Sequence, residues 1–192
     1  MLRTDIINHF ISKYNLQSYL EIGTYKKENF SKINCTKKSC VDPDPKTEPD
    51  FLMTSDNFFE QNIEKFDIIF IDGLHEAHQA YRDIQHSLAC LNPKGIIICH
   101  DCNPMQPELT VGPEDFTDGM NWTGDVWKGF VRYRYESPYK CYVIDEDWGC
   151  GVINTNLQTD IEMPIKLDIN EMTWAVLDNN REQLLGLTKG VD

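Results

Sequence analysis

Residues 66–104, FDIIFIDGLHEAHQAYRDIQHSLACLNPKGIIICHDCNP, read as strand, helix, strand. Ile68 to Ile71 form a short continuous apolar run, the pattern of a strand covered on both faces in a parallel sheet. The run stops at Asp72-Gly73, which puts a carboxylate at the strand's C-terminal end. From Glu76 the period changes. Ala77, Tyr81, Ile84, Leu88 and Leu91 recur at helical spacing, with Glu76, Arg82, Asp83 and Gln85 off the stripe. Asn92-Pro93-Lys94-Gly95 breaks that helix, and Ile96 to Cys99 make a second buried run ending at His100-Asp101. The unit is βαβ with an acid at the mouth of each strand. Ligands of open parallel sheets bind outside the carboxyl ends of the strands, so function is expected at Asp72, His75, Asp101 and their neighbours.

Working outward, residues 1–16 hold an N-terminal helix over 4–14, with Thr4 as its cap and Ile6, Ile7, Phe10, Ile11 and Tyr14 on its apolar side. Ser18 to Gly23 reads as a first strand and Lys27 to Ile33 as a short helix. Ser39 to Asp42 is a second strand, stopped by Pro43 and Pro45. Phe51 to Met53 is a brief third strand, and Ser55 caps a helix through Ile63. Residues 104–123 carry Pro104, Pro107, Pro113, Gly112 and Gly119 with little periodicity, as expected of a binding loop or lid. A helix over Asp125–Tyr135 follows. Strands over Tyr139–Asp145 and Gly149–Asn154 come next, then a terminal helix over Glu171–Leu185 and a frayed end. Such alternation predicts an α/β domain with a mostly parallel sheet spanning residues 1–192.

The totals narrow the partners. A net charge of −13 over 192 residues opposes binding to a nucleic-acid backbone or an anionic membrane. The N-terminus lacks the apolar core of a signal peptide, and no run approaches a membrane span. A cytoplasmic protein is expected. Asn34-Cys35-Thr36 and Asn121-Trp122-Thr123 then match the glycosylation pattern by chance. Seven scattered cysteines, several inside apolar runs, behave as small buried hydrophobes rather than a disulfide framework. Oligomeric state is left open.

Single residues at the strand ends have ordinary readings that gain weight together. Gly23 permits a tight turn and a close ligand approach; alone, it serves packing in many α/β proteins. Asp42 either makes an Asp-Pro turn or accepts hydrogen bonds from two ribose hydroxyls. Ser55 and Asp56 either cap a helix or, in the case of Asp56, stand near an adenine amino group. Asp72 and Asp101 at adjacent strand ends make a pair of hard oxygen ligands suited to Mg²⁺, to which Asn103 adds a neutral oxygen. His75, three residues past Asp72, is placed to take a proton from a hydroxyl substrate. His100 precedes Asp101 in the strand and is expected to point to the other side of the sheet as a core histidine. His78 and His86 lie on the polar helix face.

The segments YLEIGTYKKENF, CVDPDP, MTSDNFF, FDIIFIDGLHEAHQAYRDI and GIIICHDCNP occur in the order seen in class I S-adenosylmethionine-dependent methyltransferases. The chain resembles most the small-molecule and sugar O-methyltransferase branch that includes macrolide-sugar enzymes. The resemblance covers roughly residues 18–154 and implies a Rossmann-like three-layer sandwich. Its seven-stranded sheet is ordered 3-2-1-4-5-7-6, with strand seven antiparallel. It also implies S-adenosylmethionine across the ends of strands one, two and four, against Glu21, Gly23, Asp42, Ser55, Asp56 and Asp72. Together with the carboxylate pair this points to Mg²⁺-assisted transfer to a small hydroxylated acceptor such as a sugar, and the resemblance implies His75 as base with Asp72 beside it. The first loop departs from the family pattern: Gly23 stands alone, and Lys27 falls where a glycine is common. A non-catalytic nucleotide-binding domain of the same fold is the alternative. An NAD oxidoreductase is disfavoured, because spaced glycines to cradle a pyrophosphate are missing.

Cys99-His100-Asp101-Cys102 has CxxC spacing, but Cys99 closes an Ile-rich strand and no helix begins at Cys102, against a redox pair. No further ligand pair accompanies it, against structural zinc. Trp122, Trp127 and Trp148 are candidates to wall an acceptor pocket, with core packing expected for at least two of them.

Overall fold

A computed structural model describes residues 1–117, 121–161 and 168–191. One sheet of eight strands forms its centre: β1 Ser18–Ile22, β2 Lys37–Asp42, β3 Phe51–Leu52, β4 Phe66–Ile71, β5 Leu91–Cys99, β6 Tyr139–Ile144, β7 Cys150–Gln158 and β8 Leu187–Thr188. The spatial order is β3-β2-β1-β4-β5-β7-β6-β8. β1, β2, β3, β4 and β5 are mutually parallel, and β7 runs antiparallel to both β5 and β6. This is the predicted Rossmann-like order with one strand added. β8 pairs parallel with β6 at Val143 and Ile144, where a frayed end was expected. Two residues carry no readable period, so only the docking of the last helix makes a strand of them.

The continuous apolar runs follow from cover on both faces. Tyr19, Ile68, Phe70, Ile96 and Ile98 pack with Ile6, Ile7, Phe10 and Ile11 of α1 (Arg3–Tyr14). Their neighbours Leu20, Ile22, Ile69, Ile71 and Ile97 pack on the opposite face. There they meet Phe58 of α2 (Ser55–Gln61), Ile84 of α3 (Ala77–Cys90), Trp127 and Phe130 of α4 (Val126–Glu136), and Leu177 of α5 (Trp174–Leu185). Among the described residues, no helix is long and apolar enough to cross a membrane.

Several local expectations change. Lys27–Ile33 holds only a 3₁₀ turn, Phe30–Lys32; Tyr25 and Lys27 have φ of 45° and 56°, which a helix start cannot accept. Thr54, not Ser55, caps α2, with its hydroxyl accepting from the Asn57 amide at 3.3 Å. α3 ends at Cys90, just before Asn92-Pro93-Lys94-Gly95, but β5 begins at Leu91 rather than Ile96, with Lys94 at φ 68° and a register shift opposite Phe66 and Ile68. Proline is tolerated in a strand at such an irregularity. The segment over 104–123 holds two 3₁₀ turns, Pro107–Thr110 and Pro113–Asp115; its residues 118–120, with Gly119, lie outside the described residues.

Candidate active site at the carboxyl edge of the sheet

Register delivers the site. Ile22 pairs with Val41 and Ile71, and Ile71 with Cys99, so four parallel strands end level. The ladder continues one step further, with Asp72 N donating to Ile22 O at 2.8 Å and His100 N to Ile71 O at 2.9 Å. Above this edge lies a cleft of about 1190 Å³. It is lined by Gly23, Asp42, Ser55 and Asp56 toward β2, and by Asp72, His75, His100 and Asp101 toward β5.

Gly23 is required, though for packing. Its φ is +82°, and a Cβ there would stand 2.1 Å from the Asp72 carbonyl oxygen. The β1 turn is thereby pressed onto the end of β4. Asp42 then organises the loop that Gly23 opens. Its Oδ2 accepts from the amides of Thr24 at 2.9 Å and Tyr25 at 3.1 Å, and its Oδ1 from Asp44 N at 2.8 Å. These bonds hold Tyr25 in its left-handed conformation without a second glycine.

Toward β5, four titratable groups converge. His75 Nε2 is 3.5 Å from Asp72 Oδ1 and 3.3 Å from Asp101 Oδ2. His100 Nδ1 is 3.4 Å and 3.2 Å from the same two oxygens. Arg3, at the start of α1, brings Nη1 to 3.6 Å from Asp72 Oδ2 and to 3.0 Å from His100 Nδ1. Its backbone amide donates to Asp147 Oδ2 at 2.7 Å. Burial pushes the Asp72 carboxyl up, but His100 and His75 outweigh it and hold it well below the carboxylate range. Burial likewise pulls His100 down, yet Asp101, Asp72 and Asp147 keep it well above the usual imidazole value. His75 is raised in the same way, by Asp72 and Asp101 against its burial.

His75 is oriented from the segment over 104–123. Its Nδ1 lies 2.9 Å from the Trp122 carbonyl oxygen, and its ring packs on the Trp122 indole with centroids 4.9 Å apart. Phe116 also stacks on Trp122, with centroids 4.8 Å apart. Gly124 allows this approach, since a Cβ on it would fall 1.9 Å from His75 O. Asp125 starts α4 as expected, as the residue before Val126, while its side chain accepts from Ala77 N at 2.7 Å and so caps α3.

The chain has relatives in fold. Residues 34–102 match a family described as a methyltransferase domain; they contain β2 to β5 with Asp42, Asp72, His75 and Asp101. The S-adenosylhomocysteine-bound methyltransferase PaMTH1 of Podospora anserina superposes with a TM-score of 0.58 at 17% identity, over 79% of this chain and 77% of its own. An O-methyltransferase of Bacillus cereus in complex with S-adenosylhomocysteine gives 0.55 at 11% identity, over 79% of each chain. TomG of Streptomyces achromogenes, an O-methyltransferase of tomaymycin synthesis in complex with S-adenosylmethionine, gives 0.54 at 11%, over 82% of this chain and 79% of its own. No curated protein matches the sequence.

The chain has a methyltransferase fold.

Within that fold the sequence-derived site residues divide. Gly23, Asp42, Ser55, Asp56, Asp72, His75 and Asp101 all line the cleft. Two others do not. Glu21 turns to the α1 face, where Tyr19 Oη and Asn29 Nδ2 donate to its Oε2, the latter at 2.8 Å; alternation along β1 puts it opposite Ile22. Burial pushes this carboxyl up to about 7. Asn103 is the other. Its Oδ1 accepts from Arg181 Nη1 at 2.6 Å and its Nδ2 donates to Asp145 at 2.7 Å, so the expected Asp72–Asp101–Asn103 oxygen triad is not assembled.

His100 corrects the sequence reading in the other direction. Strict alternation would turn it away from Asp101, but β5 ends at Cys99 and Asp101 adopts φ +59°. The broken period brings both side chains to the cleft. Arg3 and Asp147 were not foreseen at all, whereas Trp148 lines the cleft as expected. Asp147 and Trp148 lie on the β6–β7 turn at φ 48° and 63°, and Asn103 N donates to Trp148 O at 2.8 Å. Trp127 is core, while Trp122 and Trp148 face the cleft. Cys99 and Cys102 are buried free thiols. Burial and Cys99 drive Cys102 well above the thiol range, which removes a redox role.

Proposed function

We propose that the protein is an S-adenosylmethionine-dependent O-methyltransferase acting on a small hydroxylated acceptor, such as a sugar. The observation that carries this reading is the acid-lined cleft crossing the level ends of β2, β1, β4 and β5. Its donor set suits the group. Asp42 Oδ1 accepts a single protein bond and keeps lone pairs for ribose hydroxyls, and Ser55 and Asp56 stand further along for the adenine. The carboxylates of Asp72 and Asp101 suit a cationic sulfonium. When bound, the donor supplies an electrophilic methyl group.

The chain's own work is alignment and proton removal. Holding the acceptor oxygen in line with the methyl carbon and sulfur converts an encounter into a positioned displacement. The Asp72–His75–Asp101 cluster is where the acceptor hydroxyl loses its proton. Trp122, Phe116 and Trp148 give the acceptor a flat apolar wall.

Calorimetry with S-adenosylhomocysteine, S-adenosylmethionine and NAD tests the reading. S-adenosylhomocysteine is expected to bind one per chain and NAD to stay silent, with Asp42→Ala weakening the former by roughly tenfold or more. Transfer of radiolabelled methyl to a panel of sugars and phenols then tests catalysis. Absence of S-adenosylhomocysteine binding refutes the proposal; binding without transfer to any acceptor would favour a nucleotide-binding domain of this fold.

A further inference from the structure

We infer that Gln79 and Asp83 of α3 are positioning residues that turn the Ser55–Asp56 end of the cleft into a face of hydrogen-bond acceptors, which selects a purine bearing an exocyclic amine over one bearing an exocyclic oxygen. The inference rests on the methyl-donor reading, with the base beside Ser55 and Asp56, and goes beyond it in naming what sets the choice of base.

Asp83 is a buried charge that proton removal and methyl transfer leave unused. It is 1% exposed, and a Cβ on Gly73 would stand 4.0 Å from its Oδ2, so the carboxylate lies directly behind the turn that ends β4. Burying a carboxylate is costly unless it is paired or hydrogen-bonded. Its hydrogen-bond partners are neutral: Gln79 Nε2 donates to Oδ1 at 3.0 Å, and the Ser55 hydroxyl is the other. Burial pushes the carboxyl up to about 6, against these two bonds. Above neutral pH it is therefore ionised and can only accept.

Gln79 carries that polarity to the cleft, which it lines. Its Nε2 lies 3.1 Å from Ser55 Oγ and 3.2 Å from Asp56 Oδ1. Its Oε1 accepts from Arg82 Nη2, which also reaches Asp56 Oδ2 at 3.3 Å. The amide can face only this way, because a guanidinium has no lone pair to offer and an ionised carboxylate no hydrogen. Turned over, it would set its oxygen against two carboxylates.

A face of single polarity results. Ser55 gives its hydrogen to Asp83 and accepts from Gln79, so a lone pair is what it has left for a ligand. Asp56 offers lone pairs alone. A base edge that meets these two groups has to donate. An exocyclic amine does so, whereas an exocyclic oxygen sets lone pairs against lone pairs and leaves the site's acceptors unpaired.

Calorimetry on the full chain at about pH 8, where the Asp83 carboxyl is ionised, compares S-adenosylhomocysteine with S-inosylhomocysteine, whose base carries the oxygen. The wild type is expected to bind the adenosyl compound at least about tenfold tighter. Asp83→Asn keeps the shape but replaces one acceptor oxygen with an amide that donates, which turns the Ser55 hydrogen toward the cleft. The preference should fall to within about threefold. Gln79→Leu removes the amide and should lower the preference by roughly threefold or more. Thermal melting shows each variant folded. A role in packing α3 alone would weaken both ligands together and keep their ratio, and that result overturns the inference. Wild-type affinities within about threefold of each other overturn it without any variant and leave the methyl-donor reading standing. Binding of neither compound refutes that reading, and the inference with it.

Discussion

Replacing Glu21 with glutamine is predicted to change how stability depends on pH while leaving S-adenosylhomocysteine affinity unchanged. Glu21 is 1% exposed and hydrogen-bonded by Tyr19 and Asn29, with its carboxyl pushed by burial from 4.5 to about 7. The native state thus keeps a proton that the unfolded chain releases near pH 4.5. Below that value both states are protonated and the contribution is fully present. As pH rises through the window to about 7, stability is lost, and above it the loss is complete. Two and a half units correspond to about 3 kcal/mol. Glutamine has no such proton. The stability difference between variant and wild type should therefore move in the variant's favour by roughly 3 kcal/mol between pH 4.5 and pH 8. Urea denaturation at half-unit steps reads this directly. Parallel curves for the two proteins would refute the placement of an ionising carboxyl in the α1 layer. A large loss of S-adenosylhomocysteine affinity would return Glu21 to the donor site.

Three further outcomes are expected. Gly23→Ala puts a Cβ at 2.1 Å from a backbone oxygen at positive φ and should destabilise by roughly 3 kcal/mol or more, together with loss of S-adenosylhomocysteine binding; a near-wild-type denaturation midpoint contradicts the packing described. Asn103→Ala takes one partner each from Arg181 and Asp145, costing roughly 1–3 kcal/mol in urea denaturation, but should leave S-adenosylhomocysteine affinity in calorimetry unchanged, because its side chain stands outside the cleft lining. Asp125→Ala uncaps α3 at Ala77; about 1–2 kcal/mol is lost, and hydrogen exchange at Ala77 to Gln79 should quicken, where unchanged protection would show that the cap is not operative.

What the sequence alone determined is the architecture and the ring of acids around its mouth. Ile68–Ile71 and Ile96–Ile98 are apolar without alternation because both faces of a parallel strand are buried. A strand that must end in solvent ends at a polar residue, so Asp42, Asp72 and Asp101 were legible as neighbours of one edge. Gly23 was legible as a glycine, though its reason, the carbonyl of Asp72, was not. The tertiary structure decided which polar groups meet. Arg3 and Asp147 lie 144 positions apart and share no local signal. Asn103 looked like a ligand until Arg181, from the last helix, took its oxygen. Glu21 and His100 show the same limit within a strand, where period two holds only while the backbone stays extended. It held at Glu21 and carried the side chain away from the cleft, and it failed at Asp101, whose left-handed backbone brought His100 in. Local patterning follows from burial over a few residues; the direction of a side chain at a chain turn depends on hydrogen bonds to segments far along the sequence.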